Sequence, residues 1–311
     1  MWPLRGIRGA EPGGEKPSAP DRFDPVGRKI HTFQSGDYSL EYITCGAAHL
    51  RPLVILHSIE YPGWPPVEFC RAAEAAGFRI VAVRRPGFGG NPTLPDADAQ
   101  HRLITEFLAS GGLEGAVVAS SGTAGPVGHR LALAGLPQVA LSVFANCGFN
   151  HDHMAEFRPE WFARTLEQAL SNTAGARLSL MTLKSSWGIF GRTWVHETIL
   201  QKSPGDLQFL KDNSGLLSEA IEMLLARLDV HTFMMEVGAS LNHDPLLADG
   251  CFRECPALVM SGDETSDSWK RGVESEAARL GLPPVHYLPS GDALAVYQSP
   301  ESFLQVVLDR L

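Results

Sequence analysis

The sequence holds 311 residues, 44% of them hydrophobic and 20% charged, the balance of a globular chain long enough to bury a sizeable core. A formal net charge of −9 argues against a nucleic-acid or anionic-membrane partner, because both select clustered Lys and Arg. No apolar run is long enough to span a bilayer, and the scattered, odd set of five cysteines (Cys45, Cys70, Cys147, Cys251 and Cys255) is the pattern of free thiols in a reducing cytoplasm.

Met1–Gly9 carries two arginines but no apolar stretch, so no signal peptide is expected. With the Pro-, Gly- and charge-rich segment that follows, residues 1–26 are expected to form a disordered leader, order beginning near Lys29. His31–Gln34 and Tyr38–Thr44, joined by Ser35-Gly36-Asp37, read as two strands with a turn. Leu53–Leu56 is wholly apolar, as a strand buried on both faces of a parallel sheet should be. Pro66–Gly77 has helical spacing, Arg79–Val83 reads as a strand, His101–Ser110 as a helix and Gly115–Ala119 as a buried strand. A glycine-rich turn, a helix through Ala134 and a strand over Gln138–Ala145 follow. The alternation then breaks, and residues 148–247 are mostly helical in pattern, with Trp161, Phe162, Trp187, Phe190 and Trp194 expected to line an apolar pocket or form that block's own core. Cys255–Ser261, Asp267–Gly281, Val285–Leu288 and Pro300–Leu311 read as strand, helix, strand and closing helix. The expected architecture is an α/β core over residues 27–147 and 248–311, with a mostly parallel sheet, helices on both faces, and a helical cap inserted over 148–247.

This order resembles the α/β-hydrolase superfamily with a helical cap. Leu53–Ser58 looks like the strand leading into that family's His-Gly oxyanion loop, with Ser58 for the glycine. Ile80–Gly89 looks like the strand and the Arg-Gly-x-Gly turn, Val117–Ala132 like the strand, nucleophile elbow and helix, and Pro256–Gly262 like the strand before the triad acid. Val285–Phe303 looks like the last strand, histidine loop and helix. A family elbow reads small-x-Ser-x-Gly on a tight strand-to-helix turn. Here the run is Ser120-Ser121-Gly122-Thr123-Ala124-Gly125-Pro126-Val127, and both flanks align Gly122 with the nucleophile. The acid position, after Gly262-Asp263-Glu264, holds Thr265, and counting back from Pro300-Glu301 puts Ala293 at the histidine. The resemblance therefore implies the fold without an intact Ser-His-Asp triad. Registers that place Ser120, Ser121 or Thr123 at the nucleophile each need an insertion or deletion against one flank.

The crevice outside the strand ends is where ligands collect in such sheets. His57, Ser58, Ser121, Thr123, Asn146 and Asp292 are the polar side chains expected there. His57 is the one imidazole nearby, either as a lone acid/base or as a loop histidine with a structural hydrogen bond. Cys251-x3-Cys255 lacks a second ligand pair, and His151-Asp152-His153 lacks a third ligand, so neither metal nor cofactor is expected. Arg84 and Arg85 are expected to pair with carboxylates or carbonyls. The leading functional expectation is a cytoplasmic protein that binds a small apolar molecule under its cap. It would act as a receptor or carrier, or as an enzyme of non-hydrolytic chemistry such as cyclisation, elimination or proton transfer. The alternatives are an esterase-like hydrolase using a shifted hydroxyl and a non-catalytic structural or partner-binding protein; a homodimer is compatible with each.

Overall fold

A computed structural model describes residues 22–59, 61–151, 168, 172–191, 197, 200, 203–223, 228–241 and 243–311. Nine strands form one sheet in the order β1-β2-β3-β5-β4-β6-β7-β8-β9: β1 Arg22–Phe23, β2 Lys29–Ser35, β3 Tyr38–Cys45, β4 Arg51–Leu56, β5 Phe78–Val83, β6 Ala116–Ser121, β7 Val139–Ala145, β8 Ala257–Gly262 and β9 His286–Leu288. The first three strands and the β3–β5 pair are antiparallel; every pair from β5 across to β9 is parallel. Side chains alternate between two cores with the period of the pleat. Leu53, Ile55, Val117 and Ala119 face one, while Val54, Leu56, Ala116 and Val118 face the other.

Helices α1 Val67–Ala75 and α9 Pro300–Leu308 cover the first face through Phe69, Phe303 and Leu304. Helices α2 Ala97–Ala109 and α3 Gly125–Leu133 cover the second through Leu103, Phe107, Val127 and Leu131. Helix α8 Asp267–Leu280 extends that layer through Val273 and Ala277 against Phe144 and Val259. The ends have local causes: Ser266 accepts from Trp269 N–H at the start of α8, and Gly281 at φ +79° closes it. Helix α2 begins a turn before the expected His101, because the Asp96 carboxylate accepts from Ala99 N–H at 2.7 Å.

Order also begins earlier than expected. Arg22–Phe23 pairs with Lys29–Ile30, and the buried Asp24 carboxylate accepts from the backbone N–H of Val26 and Arg28, folding the turn between them. The expected disordered leader therefore gives way to structure at Arg22, inside the span 1–26; residues 1–21 lie outside the described residues.

Between β7 and β8 the described elements are helical: α4 Thr173–Phe190, α5 Pro204–Asp212, α6 Ser214–Ile221 and α7 Val230–Leu241. Leu210, Leu217, Ala220 and Ile221 join the core formed with Tyr61 and Trp64 of the β4–α1 connection, so this block sits on the loop that follows β4. Phe190 is exposed. Trp161, Phe162, Trp194 and the side chain of Trp187 lie outside the described residues. No helix among the described residues is long and apolar enough to cross a membrane.

Candidate functional site

Strand β4 has β5 on one side and β6 on the other, so consecutive connections leave it in opposite directions and a crevice opens beyond the carboxyl ends of β4 and β6. A cavity of about 240 Å³ lies there. Its walls include Ser58 from the loop after β4, Gly122, Thr123 and Gly125 from the turn into α3, Asn146 and Phe149 after β7, and Ala293. Five of the positions singled out in the sequence (Ser58, Gly122, Thr123, Asn146 and Ala293) thus share one cavity. His57, Ser121, Thr265 and Asp292 do not line it.

The elbow is built as follows. β6 ends at Ser121, one 3-10 turn spans Gly122–Ala124, and α3 starts at Gly125 with Pro126 in its first turn. Gly122 has φ +47°, and it is the residue of Ser120–Thr123 in the left-handed region. Ser120, one of the shifted-register hydroxyls, is 1% exposed and points away from the cavity. A Cβ added at Gly128 on α3 would fall 2.2 Å from Ser120 Oγ, and that hydroxyl has no hydrogen-bond partner among the described residues. Ser120→Ala is therefore expected to be neutral or slightly stabilising, since it removes an unsatisfied buried hydroxyl. Gly128→Ala overpacks the same contact and should cost about 1–3 kcal/mol. Urea melts of the two variants check the pair of signs. Ser121 is half-buried at the last position of β6.

In the fold that the sequence resembles, a carbonyl oxygen is held by two backbone N–H groups: that of the residue after the nucleophile and one from the loop after the strand equivalent to β4. Here both are engaged internally. Thr123 N–H donates to Ser58 Oγ at 3.2 Å, and Ile59 N–H donates to Thr123 Oγ1 at 3.0 Å. The Thr123 hydroxyl in turn donates to Glu236 Oε2 at 2.5 Å and accepts from Arg85 Nη2 at 3.1 Å. Glu236 lies on α7, is 2% exposed, and forms a two-pronged ion pair with Arg85. The neighbouring Arg84 reaches Glu41 at 2.9 Å and Glu219 at 2.6 Å and covers the Trp64 ring at 4.0 Å. Both arginines thus pair with carboxylates as expected, each tying the helical block to the sheet.

His57 needs correcting as a crevice residue. It is buried beneath the turn, its Nε2 accepts from Arg85 N–H at 3.0 Å and its Nδ1 lies 3.0 Å from Ser58 O. Those two contacts require the neutral Nδ1–H tautomer. Burial and then the Arg85 charge push its pKa well below the ordinary imidazole range. It is a structural brace for the Arg85 turn. The imidazole that does line the cavity is His129 on α3, stacked on Phe149 at 5.1 Å and against Phe144 at 5.0 Å. Burial lowers its pKa to about 3, so it is neutral, and neither ring nitrogen has a partner among the described residues.

At the position that the sequence aligns with the acid, Thr265 donates to Asp292 Oδ1 at 2.8 Å, and Ser261 Oγ lies 3.3 Å from both Thr265 Oγ1 and Asn146 Oδ1. Asp292 is thus spent on Thr265 beside the cavity rather than in it. Asn146 and Phe149 both adopt left-handed backbone, φ +51° and +53°, at the cavity rim. Such conformations cost of order 1–3 kcal/mol and persist only where surrounding structure imposes them. The loop carrying Ala293 is held by a carboxylate that sequence reading missed. Asp206, at the start of α5, accepts from the backbone N–H of Asp292, Ala293 and Leu294 at 3.2, 2.9 and 3.3 Å, and from Gln298.

Burial raises the pKa of Asp206 to about 6, against the pull of those N–H donors and aided by the charge of Asp292. Its folded value lies above that of an unfolded aspartate, about 3.9. Its contribution to stability is therefore full below that unfolded value and fades as pH rises through about 6. Urea melts across this window should show the decline in the wild type and a flatter profile in Asp206→Asn.

His151 packs edge-on to Trp269 at 6.0 Å, and His153 lies outside the described residues. Among the described residues no group of three or more His, Cys, Asp or Glu is arranged to hold a metal ion.

A family profile described as "Alpha/beta hydrolase family" matches residues 53–306. No curated protein sequence gives a significant match. Similar solved structures include the Cif epoxide hydrolase from Acinetobacter nosocomialis, with TM-score 0.66, 15% identity, and coverage of 91% of this chain and 88% of that one. A thermophilic esterase from Thermogutta terrifontis has TM-score 0.60 and 16% identity, covering 91% and 97% of the two chains. An enol-lactonase from Burkholderia xenovorans LB400 has TM-score 0.55 and 13% identity, covering 90% and 99%. At such identities the likeness is one of fold alone. The profile match spans most of the chain, and the sheet order and elbow accord with it: the chain belongs to the alpha/beta hydrolase family.

Proposed function

We propose that this chain binds a small apolar molecule in the cavity beyond β4 and β6, and that it does so without forming a covalent acyl intermediate. The carrying observation is that both backbone donors of the expected oxyanion site are engaged internally, by Ser58 Oγ and Thr123 Oγ1. The side chains at the aligned triad positions support the same reading. Gly122 offers no nucleophile, Ala293 no base, and Thr265 is a hydroxyl bonded to Asp292. Without a base oriented on a hydroxyl, the nucleophile of acyl transfer is not generated. The chemistry open to such a site is binding alone, as in a receptor or carrier, or a non-hydrolytic reaction such as cyclisation, elimination or proton transfer.

At about 240 Å³ the cavity is below the range of roughly 300–1,000 Å³ typical of drug-sized sites, so its occupant is small. Its aromatic wall of Phe149 and the neutral His129 favours an uncharged, ring-bearing molecule. A thermal-shift panel of neutral single-ring compounds tests this. A ligand at 100 times its Kd should stabilise the folded state by about 2.7 kcal/mol, and Ala293→Phe, which fills the cavity, should abolish the shift. No shift with any compound, or an equal shift in Ala293→Phe, contradicts the reading.

A second reading, an esterase-like hydrolase acting through Ser121, is favoured by the activities named for the structural neighbours and by the partial exposure of that hydroxyl at the end of β6. The two readings part on whether any hydroxyl reacts with an activated phosphonate.

A further inference from the structure

A cluster of nucleophilic groups lies away from the cavity. Cys45 ends β3 and is half-buried, and Cys70 is buried on α1. One guanidinium nitrogen serves both sulfurs: Arg28 Nη1 lies 3.3 Å from Cys70 Sγ and 3.8 Å from Cys45 Sγ. The same nitrogen donates to Pro65 O at 2.7 Å, while Arg28 Nε is fixed by Asp24 at 2.6 Å. The remaining nitrogen, Arg28 Nη2, is buried with no acceptor among the described residues. A dithiol beside a cation whose Nη2 has no acceptor among the described residues is equipped to hold an incoming oxygen.

We propose that Cys45 and Cys70 are a peroxide-responsive dithiol, in which Cys45 is the attacking thiol, Cys70 the resolving thiol and Arg28 the oxygen-binding cation. The Cys45 sulfur attacks one oxygen of a hydroperoxide. An S–O bond forms, the O–O bond breaks, and the departing alkoxide or hydroxide takes up the thiol proton to leave as an alcohol or water. Cys45 is oxidised to the sulfenic acid and the peroxide is reduced. Cys70 sulfur then attacks Cys45 sulfur, the S–O bond breaks, and hydroxide leaves as water with the Cys70 proton, closing a disulfide. The neighbouring Cys70 thiol and the charge of Arg28 lower the Cys45 pKa against burial and the opposing Asp24 charge, while the Cys70 pKa is raised. The other pair supplies an internal control. Cys251 and Cys255 are also half-buried, but burial raises both of their pKa values.

The test uses the full-length reduced protein exposed to limiting hydrogen peroxide, then blocked with N-ethylmaleimide, digested and mapped by mass spectrometry. The expected product is a peptide cross-linked between Cys45 and Cys70, formed at least about tenfold faster than any oxidation of Cys251 or Cys255. Cys70→Ser should stop at a sulfenic acid on Cys45 that dimedone traps, and Arg28→Gln should slow Cys45 oxidation about tenfold. The proposal is overturned if Cys251 or Cys255 reacts first in the wild type, if no Cys45–Cys70 cross-link forms, or if Cys70→Ser yields no dimedone adduct at Cys45. The wild-type and Cys70→Ser results stand even if Arg28→Gln does not fold.

Discussion

Glu236→Ala is expected to lower the unfolding free energy by about 3–5 kcal/mol, the size of effect seen when one partner of a buried ion pair is removed. Arg85 is 1% exposed and would keep its charge, with His57 O at 2.8 Å and Thr123 as its remaining partners. Thr123 would lose the acceptor of its hydroxyl proton at the same time. Glu236→Gln keeps the shape and should fall between the two, because one amide oxygen can still accept. Replacing both charges, Arg85→Leu with Glu236→Leu, should recover most of the loss, since the cost of burying an unpaired charge disappears with the charge. Urea denaturation of the four proteins at one pH reads the series. A Glu236→Ala variant within about 0.5 kcal/mol of the wild type, the range of ordinary surface substitutions, would show that the pair does not clamp α7 onto the elbow.

The elements that could be read from the sequence are those whose signal is local. Leu53–Leu56 and Leu258–Met260 are apolar without interruption because both faces of a parallel strand are covered, and each lies on a strand paired on both sides. The elbow was legible for a similar reason: Gly-Pro-Val after a buried strand leaves little freedom for where the turn falls, and Gly122 occupies its left-handed position. Two starts were misjudged because a carboxylate made them. Asp96 caps α2 within a polar stretch that hides the helix, and Asp24 folds a turn that lets the two residues of β1 pair. The polar supports of the site were not legible at all. Glu236 reaches Thr123 across 113 positions and Asp206 reaches Ala293 across 87, and no periodicity relates residues so far apart. One hint was present: Glu236 is a lone acid in the apolar run Phe233-Met234-Met235-Glu236-Val237, and such a residue on a packed helix needs a buried partner. His129 had a weaker signal, one turn beyond Gly125 on the inward face of α3. For His57 the sequence left a lone acid/base and a structurally bonded loop histidine both open, since only the fold shows that its two ring nitrogens are occupied by backbone groups.

The proposed function requires that no hydroxyl of the elbow be an activated nucleophile. An activated serine depends on a base oriented toward it, and loss of the serine or the histidine alone costs about 10⁶ in turnover. Here the aligned positions hold Gly122, Thr265 and Ala293, the described imidazoles nearest the elbow are neutral and buried, and the expected oxyanion donors are bonded to Ser58 and Thr123. Incubation of the full-length protein with a fluorophosphonate, followed by intact-mass measurement and peptide mapping, tests this directly. The expected result is no adduct on Ser120, Ser121 or Thr123 and ester turnover at the background rate, unchanged by Ser121→Ala. A stoichiometric adduct on one of these residues, lost together with ester hydrolysis when that residue is replaced by alanine, would contradict it.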